Sequence, residues 1–159
     1  IADLMTGLNH SKAHWLHLDV MDGVFVSNLT FGAMVIKSMR KHSNLFFDAN
    51  LMMQQPENVF HAMVDAGVDL ITVHYEVCKD LNSTLKKIKE LNIKAGIAIS
   101  PNTDINVLDE YLNSIDHVLV MSVEPGLGGQ KFIENTYSKI EYIATKRASN
   151  NRCSFYLNT

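Results

Sequence analysis

Trp15-Leu16-His17-Leu18-Asp19-Val20-Met21, closed by Asp22-Gly23, holds most of the architectural information in this chain. Side chains two apart on a strand share a face, so Trp15, His17, Asp19 and Met21 stand on one side and Leu16, Leu18 and Val20 on the other. The same alternation sets Asp48, Asn50 and Met52 against Phe47, Ala49 and Leu51, then Thr72, His74 and Glu76 against Ile71, Val73 and Tyr75. Three successive strands thus carry an apolar face for helices to cover and a second face whose polar groups gather toward the C-terminal end. An open parallel sheet buried on both sides would read more uniformly apolar, whereas a (β/α)8 barrel with its site at the C-terminal rim predicts this pattern.

Outward from that segment the unit repeats. Strand-like runs fall at Trp15 to Met21, Leu45 to Met52, Leu70 to Glu76, Lys94 to Ile99, His117 to Val123 and Ser154 to Leu157. Helix-like stretches lie between them at Gly32 to Lys41, Pro56 to Ala66, Leu81 to Leu91, Ile105 to Leu112 and Glu134 to Ala148. The first five strand starts are about 23 to 30 residues apart, the length of a β-α unit, and the right-handed crossover rule makes the sheet parallel. No Gly-x-Gly-x-x-Gly follows the first strand, which weakens a dinucleotide-binding alternative. The expectation is a TIM barrel present here as a single domain, 1–159: an incomplete barrel of about six parallel strands in chain order with helices outside.

Composition narrows the function classes. A 47% hydrophobic content with 19% charge suits a globular domain, and 14 Lys and Arg against 17 Asp and Glu leave no basic surface for nucleic acid. No apolar run approaches the ~18 to 20 residues of a membrane span, and the first residues lack a secretory pattern. Cys78 and Cys153 stand alone, which favours a reducing, cytoplasmic address and argues against a disulfide framework or zinc cage.

Two segments carry chemistry. His17 and Asp19, two apart on a strand, reach one point above its end, as a metal-ligand pair or a base and its neighbour require. Asp48, Asn50, His74 and Glu76 add polar groups on the corresponding faces. Met121-Ser122-Val123-Glu124-Pro125-Gly126-Leu127-Gly128-Gly129-Gln130 follows a strand and precedes a helix. Its glycines let backbone N–H groups approach an anion, and the helix start would add its positive end. Asp22-Gly23 reads as turn chemistry. His10, His14, His42, His61 and His117 have no partner at useful spacing and read as surface or structural. Met21, Met52 and Met121 fall at strand ends beside the polar cluster, as an apolar shield.

At Leu16-His-Leu-Asp-Val-Met-Asp-Gly-Val-Phe-Val-Ser-Asn28, Thr30-Phe31-Gly32, Leu51-Met52, Val73-His74-Tyr75-Glu76 and Val120-Met-Ser-Val-Glu-Pro-Gly-Leu-Gly-Gly-Gln-Lys-Phe132 the chain resembles ribulose-phosphate 3-epimerases. The resemblance implies an isomerase of the pentose phosphate pathway. It interconverts D-ribulose 5-phosphate and D-xylulose 5-phosphate by two-acid proton transfer through an enediolate, with a divalent metal (zinc, iron(II), manganese or cobalt) and, when full length, as a homo-oligomer. It casts Asp19 as ligand and acid/base, and His17 as ligand. Met21, Met52 and Met121 become the sulfur lining, His74 a rim residue, and Gly126, Leu127, Gly128 and Gly129 the phosphate grip. Asn50 stands where the family has a histidine ligand, and a neutral oxygen donor predicts weak metal binding. Leu127 stands where an aromatic is usual. By the same resemblance the chain starts after the opening strand with its serine and stops near the Asp-Gly-Gly that supplies the second acid, so 159 residues alone are expected to lack turnover. Two other readings share these residues: a 3-epimerase of a six-carbon ketose phosphate, and a non-catalytic relative that binds sugar phosphate or a partner subunit. Barrels that decarboxylate orotidine phosphate or keto-gulonate phosphate are disfavoured, because they place a lysine where Met21 stands.

Overall fold

The structure, a computed structural model, describes residues 1–148 and 154–158; Cys153 and Thr159 lie outside the described residues. Helices α1 (Ala2–Asn9), α2 (Ala33–Arg40), α3 (Phe60–Ala66), α4 (Leu81–Glu90) and α5 (Asn135–Ala148) alternate with six strands. The strands are β1 (Trp15–Met21), β2 (Phe46–Met52), β3 (Leu70–His74), β4 (Lys94–Ile99), β5 (His117–Met121) and β6 (Ser154–Asn158). They form one sheet in chain order, and every neighbouring pair is parallel.

The sheet is curled. In a flat sheet β1 and β5, four steps of ~4.8 Å apart, would lie roughly 19 Å from one another. Instead the rings of Trp15 on β1 and His117 on β5 have centroids 5.9 Å apart. The concave face is the polar one expected for a barrel interior. The convex face buries Leu18, Val20, Phe47, Leu51, Ile71 and Ile97 against helix residues such as Ile36, Met63 and Ile88, and this layer is the main core.

Local chemistry places the ends. Asp80 caps α4 by accepting from the Ser83 N–H at 3.0 Å. Gly67 ends α3 at φ +90°, as its place after Ala66 predicts. Pro56 starts a 3-10 turn, Pro56–Val59, ahead of α3. The expected helix at Ile105 to Leu112 is only a 3-10 turn, Ile105–Leu108, because the following Tyr111, Leu112 and Ile115 turn down into the core. Helix α1 had no periodic signal: of its eight residues only Met5 is buried. Arg40, at the end of α2, binds the carbonyls of Gly67, Ser43 and Leu45 and the Asp69 carboxylate at 2.6 Å while lying 3.6 Å over the Phe47 ring.

Candidate active site

The register stacks the concave face in tiers. His17 on β1 is level with Asp48 on β2, and Thr72 on β3 is level with Gly96 on β4 and, through it, His117 on β5. The His17 Nδ1–H donates to Asp48 Oδ2 at 2.7 Å, the Thr72 hydroxyl donates to Asp48 Oδ1 at 3.2 Å, and His117 Nδ1 lies 3.3 Å from Thr72 Oγ1. A Cβ on Gly96 would stand 2.6 Å from Thr72 Oγ1, so glycine at this place is what lets the row cross β4. His117, read from sequence as surface or structural without a partner, is 1% exposed and belongs to this buried row. Burial pushes its basicity down, with Asp48 opposing and His17 reinforcing that effect.

One tier higher, Asp19 stands level with Asn50. His17 Nε2 lies 3.1 Å from Asp19 Oδ1 and the Asn50 amide nitrogen donates to the same oxygen at 3.0 Å. Burial alone would lower the His17 pKa, yet its hydrogen bonds to Asp19 and Asp48 outweigh that and raise it to about 9. The three residues expected to hold a metal therefore do converge. The Asn50 Oδ1, buried and without a hydrogen-bond partner, is an unused oxygen donor beside Asp19. Among the described residues no group of three or more His, Cys, Asp and Glu is arranged to hold a metal, so the set is two oxygens and one nitrogen, suited to a hard cation more than to zinc.

Above this tier opens a small cleft lined by Asp19, Met21, Met52 and Met121 together with Val123, Glu124 and the loop Gly126 to Gln130. Eight residues singled out from sequence, Asp19, Met21, Met52, Met121, Gly126, Leu127, Gly128 and Gly129, thus meet around one space. Val123, Glu124 and Gln130 were not among them. Gln130 donates to the carbonyls of Glu124 at 2.7 Å and Leu127 at 2.8 Å and so staples the glycine loop shut, a side-chain-to-backbone role with no sequence signature. Gly126 takes φ +111°, and a Cβ there would stand 2.8 Å from Val26 Cβ, because the loop after β1 packs beneath the glycine loop. That first loop is built on Asp22, whose carboxylate accepts from the N–H groups of Val24, Phe25 and Gln54. Helix α5 begins at Asn135, one residue from the expected Glu134, after an irregular stretch that follows the glycine loop.

His74 ends β3 at the C-terminal side of the sheet and is fully buried there, with Nδ1 3.3 Å from Glu76 Oε2 and its ring centroid 5.0 Å from that of Phe25. One expectation at β3 needs correction. Glu76 is not on the strand. The chain turns after His74 into the 3-10 turn Tyr75–Val77, and the Glu76 carboxylate accepts from the Ser100 N–H at 2.7 Å and from the Thr103 hydroxyl. Burial raises its pKa, but the hydrogen bonds of His74, Thr103 and Ser100 win and hold it at about 2. A carboxylate so tied is a strut between the end of β3 and the loop after β4.

A curled parallel sheet, helices on its convex side and a polar cleft at the C-terminal ends of its strands together define an incomplete (β/α)8 barrel of six strands among the described residues. The mutant tryptophan synthase α-subunits from Pyrococcus furiosus share this fold. One superimposes with TM-score 0.68 at 16% identity over 99% of this chain and 71% of its own, another with TM-score 0.65 at 16% identity over 98% and 69%. The chain belongs to the ribulose-phosphate 3 epimerase family, whose model matches residues 1–157. Among curated relatives, the ribulose-phosphate 3-epimerase of Bacillus subtilis is 40% identical over 131 residues, 82% of this chain and 60% of the relative. That of Candida glabrata is 42% identical over 153 residues, 86% of this chain and 62% of the relative. The chain therefore spans about three fifths of the length of the relatives it matches.

Proposed function

We propose that this chain supplies the metal-ligand, proton-transfer and phosphate-loop part of a ribulose-phosphate 3-epimerase acting on D-ribulose 5-phosphate in the cytosol. The observation that carries the reading is the cleft in which Asp19, three methionines and the glycine loop meet. A proton α to a carbonyl is only weakly acidic, so its removal needs a positioned base and stabilisation of the charge that moves onto oxygen. Asp19, with its side chain 34% exposed, takes the C3 proton on its own face and returns it there; inversion requires a second acid on the opposite face. A divalent cation held by His17, Asp19 and Asn50 would supply the electrostatic stabilisation of the enediolate oxygens. Met21, Met52 and Met121 keep water from the planar intermediate, whose loss to solvent would waste the turnover. Gly126 to Gly129 offer backbone N–H groups to the phosphate, which fixes C3 over Asp19. No helix among the described residues is long and apolar enough to cross a membrane.

The test is incubation of the intact protein with D-ribulose 5-phosphate in deuterated water, following both xylulose 5-phosphate formation and deuterium at C3. Asp19→Asn should lower both by at least ~10²-fold, the lower range for a positioned general base. Unchanged C3 exchange or turnover in Asp19→Asn would overturn the assignment. A six-carbon ketose phosphate run alongside reports on substrate length.

A further inference from the structure

His17 Nε2 faces Asp19, and the opposite ring nitrogen is held by the Asp48 carboxylate. Asp48 is 0% exposed, and a carboxylate wholly removed from water is tolerated only when its oxygens are hydrogen-bonded. Both are: Oδ2 accepts from His17 Nδ1–H at 2.7 Å and Oδ1 from the Thr72 hydroxyl at 3.2 Å. Thr72 spends its single proton on Asp48, which leaves a lone pair for His117 Nδ1–H at 3.3 Å. The direction of donation is thus set along the whole row, from β5 and β3 toward Asp48 and from β1 toward Asp48. The bare Gly96 keeps the crossing of β4 open.

We propose that Asp48 is a positioning residue of the Asp19 site. It acts through His17, fixing the ring with Nδ1–H inward and Nε2 on Asp19, and Thr72, His117 and Gly96 form the cradle that holds Asp48 in turn. A ring whose Nδ1–H is held by a carboxylate keeps one orientation, which is what a ligating or hydrogen-bonding imidazole needs. The assignment rests on the proposed role of His17 and Asp19, and its test is chosen to fail separately from that role.

Two measurements on the intact protein decide it. Without added metal, nitrogen-15 NMR should show His17 Nδ1–H as a slowly exchanging, downfield ring resonance that Asp48→Asn shifts upfield or removes. In a double-mutant cycle read by Mn²⁺ titration, Asp48→Asn should weaken binding ~10- to 100-fold in the wild-type background. In a His17→Gln background the same change should cost less than about threefold, because a residue acting through His17 has nothing left to act on. If Asp48→Asn does not fold, Thr72→Val removes the supporting hydroxyl at nearly constant volume and should move both readouts the same way by a smaller amount. Equal losses in both backgrounds, or no protected Nδ1–H resonance in the wild type, would overturn the proposal. A resonance that responds to Asp48→Asn in a protein that binds no Mn²⁺ would sustain the positioning role and sink the cation role of the site.

Discussion

Asn50 and Gly126 show how single positions set the capacity of the cleft. Asn50 spends its amide nitrogen on Asp19 and leaves its oxygen buried without a partner, so it is a neutral donor where an imidazole would bind a divalent cation far better. Asn50→His should tighten zinc or manganese binding at least ~10-fold by calorimetric titration. A nanomolar site in the unmodified protein would contradict this ligand count. Gly126 combines φ +111° with a neighbouring Val26 Cβ at 2.8 Å from any added Cβ, so Gly126→Ala is strained both ways. The expected cost is ~1 to 3 kcal/mol in thermal or denaturant unfolding, with a raised KM as the glycine loop is pushed off Val26. Asp19 and the glycines stand out by residue type and spacing, an acid two residues from a histidine on one strand and three glycines in four residues after another. Gln130 could not: its partners are two backbone carbonyls, and any polar side chain reads the same in sequence.

At the scale of elements, what holds the helices on the sheet is a small number of directed contacts around a nonspecific apolar layer. Arg40 joins the ends of α2 and α3 to β2 and β3 through three carbonyls, Asp69 and the face of Phe47. Arg40→Lys keeps the charge but not the planar fork, and should cost ~1 to 3 kcal/mol by chemical denaturation. Asp80→Ala, which removes only the α4 cap, should cost ~1 kcal/mol, and restoring Asn there should recover most of it. Helices with an apolar stripe, such as α4, were visible in the sequence to within a residue or two. The 3-10 turns Tyr75–Val77 and Ile105–Leu108 were not, because they form where tertiary demands cut a regular pattern short: Glu76 is drawn to Ser100 and Thr103, and Tyr111 to the core.

For the molecule as a whole, Glu76 bridges the end of β3 to the loop after β4, and Lys139 of α5 clasps that same loop through the carbonyls of Ser100, Pro101 and Thr103. The Glu76 pKa falls from 4.5 to about 2 on folding, so its contribution to stability is complete above pH 4.5 and drains away as the pH falls toward 2. Acid unfolding followed by circular dichroism should therefore be steepest in that window, and Glu76→Gln should flatten it while lowering stability at neutral pH by ~1 to 3 kcal/mol. An unchanged acid transition in Glu76→Gln would place the linkage elsewhere. The parallel order of six strands, the convex core and the meeting of Asp19 with three methionines and the glycine loop were all legible in the linear pattern, since a period of two and a regular β-α spacing fix which side chains share a face. The burial of His74 and His117, the retreat of Glu76 from the strand face and the row from His17 to His117 came only with the fold. Curling the sheet brings β1 and β5 within ring contact and bare Gly96 lets polar groups reach across β4, and neither distance is written in the spacing of residues along the chain.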